Sequence, residues 1–240
     1  MIMPGSIMTF GHIHTDRSKR IAAGIEGQLE KSAQQSSISW EVQPEIILRP
    51  VNILKIDLAA NYSGNHNLLQ YVSETYYQSE KRYILGTIDQ KTLGLTFRLD
   101  LNLTPEFSVQ YYGSPFVSRG TYSDYKRVTD PESKKFNERF IILPGPGTDI
   151  TGNTFSFDEN SDMVIDYSIH NPNFNFFEFR SNLVAKWEYR LGSYIYLVWS
   201  SSRTGGNINS RASLGDSYKS LGHVFPDNIF LIKLSYWFSL

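Results

Sequence analysis

His12 and His14 stand two residues apart, so on an extended strand their imidazoles share a face and form half of a metal site. With no further ligand in view, the pair reads as two polar strand residues. Asp158-x-Asn160-x-Asp162 has the opening spacing of a calcium loop. That pattern calls for Gly at its sixth position and Glu at its twelfth, where this chain has Met163 and Ile169. Asp158, Asn160 and Asp162 are therefore the calcium candidates of a segment that reads as a solvated acidic loop. Glu41 and Glu45 fall on one strand face, as a glycosidase pair would, but basic residues on matching faces make an ion-paired wall the better reading. There is no G-x-S-x-G elbow, no H-E-x-x-H and no Walker motif. A phospholipase-like barrel with His170 or His223 as base is the remaining enzymatic alternative. Pro144-Gly145-Pro146-Gly147 is turn chemistry, because a phosphate cradle needs a helix behind it. The absence of Cys excludes a disulfide framework, a thiolate metal centre and a Cys nucleophile. No catalytic residue and no cofactor is assigned, and a non-enzymatic protein is expected.

The elements that would carry these residues are strands. From Leu93 to Leu103 every odd residue is apolar and every even one is not, the period of a strand with two different faces. The pattern recurs at Ile21–Leu29, Ile38–Leu48, Leu54–Tyr62, Phe107–Val117, Phe177–Tyr189 and Phe230–Leu240. Tyr194–Ser202 is a strand without clear faces, and a weaker one runs from about Ile7 to Thr15. No stretch has a convincing helical period. The longest apolar run, Tyr194–Trp199, is six residues, whereas a membrane-spanning helix needs about 20. With 23 Lys and Arg against 24 Asp and Glu, no electrostatic case for nucleic acid exists.

Connections alternate in length. Short turns are expected at Asp16–Lys19, Pro50–Asn52, Thr104–Glu106 and Leu191–Ser193, and longer links at Lys31–Ser36, Gly64–Ser79, Ser123–Phe174 and Thr204–Asp227. This is the organisation of an outer-membrane barrel, with turns on one side and loops on the other, provided that Lys81–Leu103 is one strand. Polar faces carry Glu26, Glu30, Glu41, Glu45, Asp57, Asp100, Glu178 and Glu188 against Arg20, Arg49, Lys55, Arg98, Arg180, Lys186, Arg190 and Lys233. In a barrel Glu41, Glu45, Lys55, Asp57, Arg98, Asp100, Arg180, Lys186 and Lys233 would line the lumen. Phe107, Trp187, Tyr189, Tyr236 and Phe238 lie near turn ends, as an interfacial girdle would. The expected fold is all-β: an antiparallel up-and-down transmembrane β-barrel over residues 1–240, seen as a C-terminal fragment of about nine strands with long extracellular loops. Single-chain bacterial barrels have even strand numbers, and Met1–Phe10 is no secretory signal, so further strands are expected upstream. A soluble β-sandwich or closed barrel binding an apolar ligand is the alternative, since alternation alone does not separate lipid from core.

Several motifs carry a resemblance: Asp89-Gln90-Lys91-Thr92-Leu93, Thr104-Pro105, Pro115-Phe116-Val117-Ser118, Asn171-Pro172-Asn173-Phe174-Asn175, Trp187-Glu188-Tyr189-Arg190-Leu191-Gly192-Ser193, Tyr196-Leu197-Val198-Trp199 and the run Pro226–Trp237. Together they resemble the C-terminal barrel domain of a family of unknown function in Gram-negative bacteria. There the barrel follows a signal peptide and a domain similar to a family-9 carbohydrate-binding module. The resemblance implies an outer-membrane location, contact with outer-membrane lipid and the barrel-assembly machinery, and a link to carbohydrate through the upstream domain. It implies no reaction. One departure is that Ser239 and Leu240 follow Phe238, where such barrels usually end on an aromatic residue.

Overall fold

β-Branched and aromatic residues in alternation build a nine-strand antiparallel meander, in which each strand pairs with the strands before and after it. The computed structural model describes residues 1–148 and 152–238. The chain runs through β1 (Ser6–His14), β2 (Ile21–Ser32), β3 (Ser37–Val51), β4 (Leu54–Tyr77), β5 (Glu80–Asn102) and β6 (Phe107–Val128). A long link then carries β7 (Phe140–Ile142), β8 (Gly147–Thr148), β9 (Thr154–Phe157) and β10 (Tyr167–His170). The meander resumes with β11 (Phe174–Arg190) and β12 (Ser193–Asn207), passes a helix α1 (Leu214–Leu221), and finishes in β13 (Asp227–Ser235). The sheet order is β1-β2-β3-β4-β5-β6-β11-β12-β13, with β7 pairing on β6, and a second sheet is ordered β10-β9-β8. The fold is therefore all-β and antiparallel. Among the described residues β1 and β13 each have one neighbour, so the sheet is open.

The Lys81–Leu103 segment is one uninterrupted strand within β5, as the alternation of links requires. The expected link at Gly64–Ser79 is different. β4 continues to Tyr77 and meets β5 through Gln78 and Ser79, both at positive φ, the conformation of a tight hairpin turn. The period-two signal is lost there because bulges interrupt the β4–β5 register between Asn67 and Gln70 and between Tyr71 and Ser73. At the opposite end Gly192, at φ +75, closes the two-residue turn between β11 and β12. The final strand stops at Ser235 rather than continuing to the C-terminus, and Ser239 and Leu240 lie outside the described residues.

Packing divides the molecule into two parts. In the upper part, β8–β10 lie against the extensions of β4, β5 and β6 and enclose Ile84, Tyr125, Leu143, Phe155, Phe157, Tyr167 and Ile169. Below, the sheet is a single layer. Helix α1, capped by Ser213 accepting from the Asp216 amide, seats Leu221 on Val117 and Phe177 at one corner of that layer. A Ser-x-x-Asp start and apolar Leu214, Tyr218 and Leu221 were the helical signal, too short to register as a period.

Candidate functional site

Register decides what each face of the single layer contains. One row of directly opposed residues reads Ile21, Leu48, Ile56, Leu99, Tyr111, Leu183, Trp199 and Phe230, apolar or aromatic across eight strands. Parallel rows on the same face hold Ile46, Leu58 and Phe97 above it, and Leu54, Leu101, Val109, Leu197 and Ile232 below it. From Leu93 down to Leu101 the apolar rows cover eight residue steps, about 27 Å of strand. At a tilt of about 40° this is roughly 21 Å in height, somewhat under the roughly 25 Å apolar band of a membrane barrel. These side chains are open: Leu95 is 41% exposed, Leu197 49% and Phe230 75%.

The lower margin of the band is aromatic. Phe107 is directly opposite Trp187, whose ring lies 6.3 Å from that of Tyr189. Tyr236 stacks on Phe238 at 6.2 Å and accepts a 2.7 Å hydrogen bond from Arg190. All five expected aromatics thus gather at the end of the sheet that holds the short turns. Trp237 joins them by donating its amide to the Ser193 hydroxyl beside Gly192.

The reverse face carries the charges. By register all nine expected wall residues, Glu41, Glu45, Lys55, Asp57, Arg98, Asp100, Arg180, Lys186 and Lys233, lie on it. Lys55 bonds Asp57 at 2.6 Å and stands opposite Asp100, which accepts from Gln110; Asp57 stands opposite Arg98. Arg98, Lys186 and Lys233 lie over the rings of Tyr112, Tyr194 and Tyr196. Arg180 bonds Glu178 at 2.8 Å. Glu41 accepts from Gln43 and Asn61, and Glu45 pairs with Arg17. Four residue steps put Glu41 and Glu45 about 13 Å apart along the strand, beyond the spacing of either glycosidase geometry. A groove of about 380 Å³ on this face takes in His14, Glu26, Glu45, Asn61 and Thr96. One feature of the wall escaped the sequence: Val184, Val198 and Leu231 oppose one another and make it apolar toward β13.

The other candidates do not assemble. The rings of His12 and His14 are 5.5 Å apart and His14 contacts Glu26 at 3.2 Å, yet the described residues hold no group of three His, Cys, Asp or Glu suited to a metal. Asp158 accepts from the amides of Asp162 and Met163, Asn160 bonds Asp162, and Asp162 accepts from the Val164 amide. These oxygens organise a turn. His170 is exposed at the end of β10 and His223 is exposed after α1, and among the described residues neither side chain has a hydroxyl or carboxylate partner.

Residues 1–239 match the family described as "Domain of unknown function (DUF5916)". The chain belongs to this family. No curated protein matches it. The family is one of unknown function, so the two faces of the sheet are what a function must be built from.

Proposed function

We propose that this DUF5916 chain is the membrane-embedded part of an outer-membrane β-barrel, non-enzymatic, that anchors or works with an upstream carbohydrate-binding domain as a pore, import component or surface-binding platform. The observation that carries the reading is the continuous, exposed apolar band on one face, backed by an ion-paired polar face. Water would impose a large free-energy cost on such a band, while a bilayer removes it. The polar face then lines a wet lumen, its charges satisfied by neighbours and water. Unpaired strand edges are not viable in lipid, so further strands close the gap between β1 and β13. Nine antiparallel strands leave β1 and β13 pointing the same way, and an odd number of additional strands completes an antiparallel ring. The carbohydrate link and the outer-membrane address rest on the resemblance of the sequence motifs.

The test is outer-membrane fractionation of the full-length protein with gel mobility compared before and after boiling. The reading expects co-fractionation and a heat-dependent shift, followed by conductance or substrate uptake if the barrel is a pore. A second reading, a soluble β-sandwich binding an apolar ligand, is favoured by α1 resting on the apolar face. Monodisperse solubility without detergent would support it and remove the first.

A further inference from the structure

Just above the apolar band, on the same outer face, the sheet places two cations directly opposite each other. Lys91 on β5 is paired in register with Arg119 on β6. Like charges in that position destabilise a sheet unless something lies between them. The neighbour of Lys91 on its other side is Gly64, and the ring of Trp40 occupies the space a side chain there would take. Arg119 donates to the carbonyl of Ala212, which draws the segment before α1 over this face and brings Arg211 above the pair. The result is a cavity of about 410 Å³ lined by Trp40, Gly64, Lys91, Arg119 and Arg211. Its one carboxylate, Asp89, is engaged by His66 at 2.7 Å. Among the described residues Lys91, Arg119 and Arg211 have no carboxylate partner.

We propose that this pocket binds the phosphate-bearing headgroup of an anionic membrane lipid, with its acyl chains lying on the band below. The inference rests on the membrane reading above. Lys91 lies two residues above Leu93, about 7 Å along the strand. Leu93 belongs to the uppermost apolar row, Val42, Tyr62, Leu93 and Val117. A phosphate here has a forked guanidinium and an ammonium beside it, and on the side away from α1 its hydrocarbon continues onto the exposed Val42 and Tyr62. A free anion would use only the upper half of this arrangement. Trp40, packed edge-on to Tyr62, sits at the level where an aromatic ring favours the headgroup boundary.

The experiment uses the full-length protein in neutral detergent, with phosphatidic acid and phosphatidylcholine of equal chain length as probes and inorganic phosphate as competitor. Heat-modifiable mobility in phosphatidylcholine vesicles is recorded in parallel. Phosphatidic acid is expected to bind at least tenfold more tightly than phosphatidylcholine. Lys91→Gln and Arg211→Gln, both at exposed positions, should each weaken it roughly fivefold, and Lys135→Gln in the β6–β11 link should not. Equal binding of the two lipids, or no loss in either variant, overturns the site while a normal mobility shift leaves the membrane reading intact. Displacement by inorganic phosphate at comparable concentration assigns the pocket to a free anion and overturns the lipid. Absence of any mobility shift overturns both readings.

Discussion

On the single strand β5, Leu95 is 41% exposed and Ile84 is fully buried. The two residues are of the same chemical kind and belong to the same hydrogen-bonded ladder. The difference lies in what covers them: Ile84 meets Phe157, Tyr125 and Tyr167 in a closed protein core, whereas the band is covered only at one upper corner, where α1 seats Leu221 on Val117 and Phe177, and Leu95 stays open. The upper part therefore makes its own apolar interior, and the lower part leaves an apolar face uncovered, which the proposed membrane reading assigns to lipid. Both parts are built on the same three strands, β4, β5 and β6, which run for 24, 23 and 22 residues. On the proposed membrane reading their lower halves would cross the bilayer and their upper halves would floor a lobe outside it.

The comparison breaks most readily in the lobe. Phe157→Ala should cost about 3–5 kcal/mol of lobe stability, seen as faster hydrogen exchange across β9 and β10. The heat-modifiable mobility of the band should not change. Ile46→Arg probes the other half. In vesicles, near the middle of the band, it should cost about 2–4 kcal/mol, measured by denaturant titration; an exposed residue in water would give less than about 0.5 kcal/mol.

Alkali separates the halves without mutation. Burial raises the Tyr125 phenol above its ordinary value. Burial also raises Tyr167, reinforced by its hydrogen bond to Glu159. The folded lobe holds these protons more tightly than the unfolded chain does. Their contribution to stability is therefore complete below about pH 10 and is lost as pH rises beyond it. Hydrogen exchange in β9 and β10 should accelerate between about pH 10 and 11 before any exchange is seen in the lower rows. Tyr125→Phe is the smallest effect. The Tyr125 hydroxyl has no partner among the described residues, so its removal should be neutral or stabilising within about 1 kcal/mol by thermal unfolding.

Most of the lower half was legible in the sequence because a single-layer sheet with one apolar and one polar face shows strict alternation. Leu93 to Leu103 is the clearest case, and the placement of Lys55, Asp57, Arg98 and Asp100 on one face follows from it. The upper half was less legible. Once strands are covered on both faces, Ile84, Leu85 and Ile88 are all buried and period two disappears. Bulges in β4 hid the hairpin turn at Gln78 and Ser79. The opposition of Lys91 and Arg119 was invisible for a different reason. It depends on inter-strand register, which no residue spacing within one strand specifies.

The measurement that tests the two-solvent account most directly uses the absence of cysteine. Single cysteines placed along β5 from Ile84 to Leu101 would each carry a fluorophore, with the full-length protein in vesicles containing either a lipid-borne or a water-soluble quencher. The account predicts that positions 93, 95, 97, 99 and 101 are quenched from lipid, positions 92, 96, 98 and 100 from water, and positions 84 to 88 from neither. Quenching from water at the odd positions, with none from lipid, would contradict it.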